Sequence, residues 1–138
     1  IVSCQQAGAR LSLARNDAIE QLSARGLWLD GLDLSNTVLQ ELRAPHARWR
    51  AVNLQGSDLQ RACLHDADLQ NCDLSRADLR HANLQHADLR GANLRGANLR
   101  GTDLRNANLS RADLSQADLT DADLRNADLS ETALDENH

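Results

Sequence analysis

The sequence predicts an all-β solenoid, a coil of short extended segments with a filled interior, led by a short helix. Three observations carry this. Leucine recurs every fifth residue without a miss from Leu54 to Leu134, 17 consecutive positions in one register. Two residues before each Leu sits a small residue, usually Ala, as at Ala62, Ala77, Ala82 and Ala97. Immediately before each of these leucines sits Asp or Asn, with only Cys63 and Ala133 breaking the rule.

A period of five suits neither regular structure. On an α-helix five residues turn about 500°, so successive leucines would scatter around the axis and bury no face. In a continuous strand an odd period flips each successive Leu across the sheet. The period works when the chain bends once per repeat. Ala and Leu then point inward, the Asp or Asn between them points outward, and the last two residues, such as Ser75 and Arg76 after Leu74, make the corner.

The runs Ala77-Asp78-Leu79-Arg80-His81-Ala82-Asn83-Leu84 and Ala92-Asn93-Leu94-Arg95-Gly96-Ala97-Asn98-Leu99 resemble the pentapeptide-repeat family. That resemblance implies a right-handed quadrilateral β-helix with four repeats in each 20-residue turn. The register reaches back through Leu27-Trp28-Leu29, Leu32-Asp33-Leu34, Thr37-Val38-Leu39, Leu42-Arg43-Ala44, Ala47-Arg48-Trp49 and Val52-Asn53-Leu54. From 27 to 134 there are 22 units without insertion or deletion, about five and a half coils at family geometry. Stacked at the strand spacing of about 4.8 Å, they make a rod roughly 25 Å long.

Residues 1–26 fall outside the repeat. Leu11, Ala14, Ala18, Ile19 and Leu22 include helical spacings, so a helix capped by Asn16 or Asp17 and stopped by Gly26 is expected to cover the first coil. The expected organisation is a linker and capping helix over 1–26, the β-helix over 27–134, and a tail over 135–138. Trp49 stands where Leu is expected and Ala44 takes the preceding Leu position, so the indole is expected to fill the volume that Ala44 leaves. Pro45 falls on a corner, where its fixed φ is tolerable.

The chain has 138 residues, no Phe, Tyr or Met, and only two Trp, so its core must be Leu over Ala. No apolar stretch approaches the length of about 18 residues that spans a bilayer. Cys72 occupies the small inward position and reads as a substitute for Ala; Cys63 takes an outward one. No zinc spacing links the three cysteines, and a reducing, cytoplasmic compartment is the simpler expectation. Ile1-Val2-Ser3-Cys4 resembles the end of a lipoprotein signal, which makes an envelope protein lipid-anchored at Cys4 the weakest of three readings.

Net charge is −5, unevenly placed. Residues 110–138 carry eight acidic and two basic residues, whereas 1–109 carry 12 acidic and 13 basic. In a 20-residue coil Arg90, Arg95, Arg100 and Arg105 take the same corner position on all four sides and form a belt. It is either ordinary solvated cover, paired with Asp88 or Asp103, or a docking belt for an acidic protein partner. Asp113, Asp118, Asp123 and Asp128 make a candidate acidic face.

An enzyme is not expected, since a loop-free solenoid with a solid interior offers no pocket of convergent polar groups. Gly91 and Gly96 are spaced like P-loop glycines, but Ala97-Asn98 follow where Lys-Ser/Thr is required. His81 and His86 fall on neighbouring corners with no third ligand, so neither metal nor cofactor is expected. Without a basic face or stacking aromatics, nucleic acid is not an expected partner either. The primary reading is a non-enzymatic interaction or scaffold module within a longer bacterial protein. The alternative, implied by the resemblance, is a DNA-mimicking inhibitor or protector of gyrase, a type II topoisomerase. Gyrase-targeting members of the family dimerise through the C-terminal coil, which implies an end-to-end homodimer. Against the alternative, the chain lacks Phe at the central position, lacks projecting loops, and has a basic middle coil.

Overall fold

The computed structural model describes residues 4–135, with side chains from residue 13 onward. The side chain of Cys4 and residues 136–138 of the expected tail lie outside the described residues. A single helix, α1 (Cys4–Ala24), precedes the repeat. It starts well before the expected cap, and Asn16 and Asp17 lie inside it. Residues 5–15 are rich in Ala, Gln, Leu and Arg, good helix formers that extend the helix past any cap. Asp17 instead accepts a hydrogen bond from Gln21 Nε2, one turn on, at 3.0 Å. The stop falls at Gly26, which has φ +71°. Its N–H donates to Ser23 C=O at 2.9 Å and that of Leu27 to Leu22 C=O at 3.2 Å, the Schellman arrangement. Among the described residues no helix is long and apolar enough to cross a membrane.

Beyond α1 the chain is a β-helical solenoid. Parallel bridges join each outward residue to the one 20 positions on, from Trp28 with Arg48 through to Asp113 with Ala133. One circuit therefore takes 20 residues, or four units. Each bridge is one residue wide rather than a longer strand, because the chain turns again after every five.

The corner is a tight turn. Ala82 N–H donates back to Leu79 C=O at 3.0 Å, and the turn's second central residue, His81, has φ +60°. That combination is a type II turn, which favours Gly or Asn at this position and accepts Pro one residue earlier, where Pro45 stands. Gly101 has a further reason to lack a side chain: a Cβ there would lie 2.5 Å from Nδ1 of His81, one coil back.

The unit 82–86 shows where the backbone N–H groups go. Ala82 closes the turn, Asn83 bonds Ala62 C=O on the preceding coil, and Leu84 and His86 bond Asp103 C=O and Arg105 C=O on the following one. The fifth, on Gln85, donates to Asn83 Oδ1 at 3.0 Å. Each of the 16 Asp and Asn residues that precede a Leu position makes this same bond to the N–H two residues on. The carboxylate or amide thus completes a hydrogen-bond account that the coil stack leaves one short. Two exceptions follow the same logic. Arg43 lacks the acceptor, and Pro45 two residues on lacks the donor. Arg48 lacks it too, and Arg50 N–H turns to Asp30 Oδ1 at 3.1 Å. After Trp28, Val38, Cys63 and Ala133 the donors, the N–H groups of Asp30, Gln40, His65 and Asp135, are left without a bond among the described residues.

The interior is Leu and Ala, with Trp49 at 0% and Ala44 at 1% exposure. Trp49 Nε1 is buried without a partner. Small polar residues at inward positions bond to backbone instead: Thr102 Oγ1 to Leu79 C=O and Cys72 Sγ to Trp49 C=O, both at 2.7 Å. Against the first coils, α1 buries Ile19 in the same core. Its Glu20 Oε1 accepts Arg43 N–H at 2.8 Å, and Arg15 Nη2 donates to Val38 C=O at 2.7 Å. These are backbone groups that would otherwise bond to a preceding coil.

Candidate functional site

The fold spends the inward and bridging positions on itself, so side-chain chemistry is confined to the outward and corner positions. Four arginines there are gripped by the Asp two residues earlier: Arg80 by Asp78, Arg90 by Asp88, Arg105 by Asp103 and Arg125 by Asp123, at 2.6–2.7 Å. The pairs hold the carboxyls of Asp78, Asp103 and Asp123 below the ordinary range, Asp123 at about 2. For Asp88, burial pushes upward, but the hydrogen bonds from Arg90 win.

The expected belt of Arg90, Arg95, Arg100 and Arg105 is therefore two unlike halves. Arg90 and Arg105 are half-buried in ion pairs, whereas Arg95 and Arg100 are exposed. The difference lies in the residue before the Leu, which is Asn93 and Asn98 for the exposed pair. An amide accepts the backbone N–H as an Asp does but carries no charge to hold a guanidinium. Arg95 reaches Ser115 Oγ on the next coil at 3.2 Å, and Arg100 makes no side-chain hydrogen bond among the described residues.

Asp113, Asp118, Asp123 and Asp128 do not share a face. They are five residues apart while stacking runs at 20, so they circle the rod. Asp113, Asp118 and Asp128 accept hydrogen bonds from Ser115, Thr120 and Ser130, which lower their pKa without cancelling their charge. The buried Cys72 thiol is pushed up to about 12 by desolvation, which makes it inert.

One cluster follows from the 20-residue stacking and not from proximity in sequence. His46, Asp66 and His86 lie 20 apart at the same corner position, with His65 beside Asp66. His65 Nδ1 and Asp66 Oδ2 are 3.0 Å apart, and the rings of His46 and His65 meet edge-on at 5.5 Å. The hydrogen bond from His65 lowers the Asp66 pKa; burial opposes it, and nearby histidine charge adds lesser lowering contributions. The neighbouring corners of His81 and His86, noted in the sequence, are not what the fold brings together. The usable signal was the 20-residue offset between His46, Asp66 and His86.

The last described coil differs from the others. Leu114, Leu119, Leu124, Leu129 and Leu134 line an apolar end, with Leu129 at 38% and Leu134 at 43% exposure. The N–H groups of Leu119, Asp121, Leu124 and Asn126, whose counterparts elsewhere bond to the following coil, have no such bond among the described residues.

The Pentapeptide repeats profile matches this chain over residues 33–71, 72–111 and 97–135. A search of curated proteins returned no match. Among solved structures, the chain is similar to Rfr23, a pentapeptide repeat protein from the cyanobacterium Cyanothece 51142. Identity is 28%, 89% of this chain and 99% of that one are covered, and the TM-score is 0.69. It is also similar to HetL from the cyanobacterium Nostoc sp. strain PCC 7120, a pentapeptide repeat protein involved in heterocyst differentiation regulation. Here identity is 33% over 82% of this chain, with a TM-score of 0.77. This chain spans about half of HetL, 53% of its length.

Proposed function

The chain belongs to the pentapeptide-repeat family, and from that premise we propose that it is a non-enzymatic protein-interaction or scaffold module. On this reading the coil is right-handed and four-sided, as the family resemblance implies. Recognition runs through its outer corners, with Arg95 and Arg100 docking an acidic protein surface. The observation that carries the reading is the solid interior. Leu and Ala fill it, each corner is a tight turn, and chemical variety is left to exposed positions that do not converge in a dry pocket. Affinity capture with the wild-type chain and an R95A/R100A variant tests it. The expected result is a specific protein retained by the wild type, released by salt and lost by the variant. Capture that is indifferent to the variant overturns the arginine assignment, and no specific partner in any extract overturns the module.

Two copies are proposed to associate end to end through the leucine-lined last described coil, where apolar surface occurs together with N–H groups that have no bond among the described residues. Sedimentation over a concentration series should show a dimer that an L129R/L134R variant dissociates. A wild-type monomer throughout ends that idea. The alternative, a DNA-mimicking protector or inhibitor of a type II topoisomerase, draws support from Asp113, Asp118 and Asp128, which form no ion pair among the described residues. A supercoiling assay unchanged by the protein removes it.

A further inference from the structure

We propose that the corner formed by His46, His65 and Asp66 binds a divalent transition-metal ion of the zinc class. The ligand atoms of these three residues all lie within 4.8 Å of one another. A tetrahedral site with bonds of about 2.0–2.2 Å needs its ligands about 3.3–3.6 Å apart. The remaining contraction is small for side chains on an open corner, and His65 Nδ1 and Asp66 Oδ2 already stand at 3.0 Å.

The backbone that carries them is rigid. His46 N–H donates to His65 C=O, and Asp66 N–H to Gln85 C=O, each at 2.9 Å. His46, Asp66 and His86 share the left-handed corner conformation, with φ of 59°, 60° and 58°. Their side chains therefore leave the rod in one direction, at successive levels of the stack. Pro45 stiffens the turn that presents His46.

Folding does not ask for these residues. The corner position is left-handed, which Gly adopts freely and Asn more readily than His. Elsewhere along the rod the same position holds glycine at Gly91, Gly96 and Gly101. Here the corner instead gathers two imidazoles, those of His46 and His65, at the Asp66 carboxylate. Arg48, which lines the same recess as His46 and Asp66, lies over the Trp28 ring at 4.9 Å, and Arg50 lies over that ring at 5.1 Å and pairs with Asp68 at 2.7 Å. Two imidazoles with one carboxylate favour zinc and its neighbours over magnesium or calcium, which prefer all-oxygen sets. The remaining coordination position is open to water.

The test uses the tag-free full chain and Zn²⁺ alone, titrated by calorimetry and by competition with a chromogenic chelator. One Zn²⁺ per chain is expected, with binding weakened about tenfold or more in His46→Asn and in His65→Gln, each losing one ligand. His81→Asn, on the neighbouring corner, should bind as the wild type does. Zn²⁺ should raise the melting temperature of the wild type and of His81→Asn but not of His65→Gln. All three positions are on the surface, and circular dichroism confirms folding before titration. No Zn²⁺ binding by the wild type overturns the proposal. So does undiminished binding in both His46→Asn and His65→Gln, or an equal loss in His81→Asn.

Discussion

Asp88 grips Arg90 through two parallel hydrogen bonds, Nε to Oδ1 at 2.9 Å and Nη2 to Oδ2 at 2.6 Å. Asn98, in the equivalent place before Arg100, takes only the backbone N–H at 3.2 Å. One atom of difference thus decides whether a corner arginine is held or presented. Asn98→Asp should draw Arg100 into the same grip. In an NMR spectrum of arginine Nε–H groups, its resonance should move toward those of Arg80, Arg90, Arg105 and Arg125. Stability should change by less than about 1 kcal/mol, since the pair is exposed. An unmoved Arg100 signal would refute the pairing rule.

Asn83→Ala removes the acceptor for Gln85 N–H and should cost about 1–2 kcal/mol, read as a lower melting temperature. Asn83→Asp keeps the acceptor and should stay close to wild type. The reverse experiment uses Cys63, after which His65 N–H has no bond. Cys63→Asn should stabilise by about 0.5–1 kcal/mol. Equal melting curves for Asn83→Ala and Asn83→Asp would show that the acceptor contributes nothing.

Trp49 and Ala44 occupy successive Leu positions of one coil, both fully buried. Trp49→Ala should cost about 3–5 kcal/mol through the cavity it leaves. Ala44→Leu in the wild-type background should destabilise by overpacking, about 1–3 kcal/mol. Together with Trp49→Leu it restores the ordinary repeat, and the double variant should be more stable than the sum of the single changes. Additive effects in that cycle would mean the two side chains do not share a volume.

Acid should unfold the rod late. Asp123 sits at about 2 in the fold against an ordinary 3.8, held there first by the hydrogen bond from Arg125. Asp78, Asp103, Asp113, Asp118 and Asp128 are lowered too. A carboxyl lowered in the fold stabilises while ionised, so this contribution is intact above about pH 4 and disappears as pH falls through the folded values. Denaturant midpoints should be flat from neutral pH to about 4 and drop below it. Asp123→Asn, which cannot titrate, should show a shallower drop. A midpoint unchanged down to pH 2 would contradict the assignment.

Much of this was legible in the chain. Leu79, Leu84 and Leu89 announce the interior, and the two residues after each announce the corner. The start of α1 was not legible, because Asn16 and Asp17 have cap chemistry while the residues before them have helix propensity, and propensity prevailed. The hydrogen-bond duty of Asn83 was also missed: an outward direction can be inferred from spacing, but an accepted N–H needs the turn geometry.

The sequence by itself determined the five-residue unit, its buried Leu and Ala columns and the absence of loops, since each follows from local periodicity and burial. Only the tertiary structure decided which distant units lie together. Stacking at 20 residues places His46 under Asp66 and Asp66 under His86, and turns four evenly spaced aspartates into a ring. Hydrogen bonds between coils set that offset, and no single unit encodes it. The arginine belt was visible in the sequence as four like residues. Their division into held and presented pairs depended on a side-chain contact across the corner, where Asp carries a charge that Asn lacks.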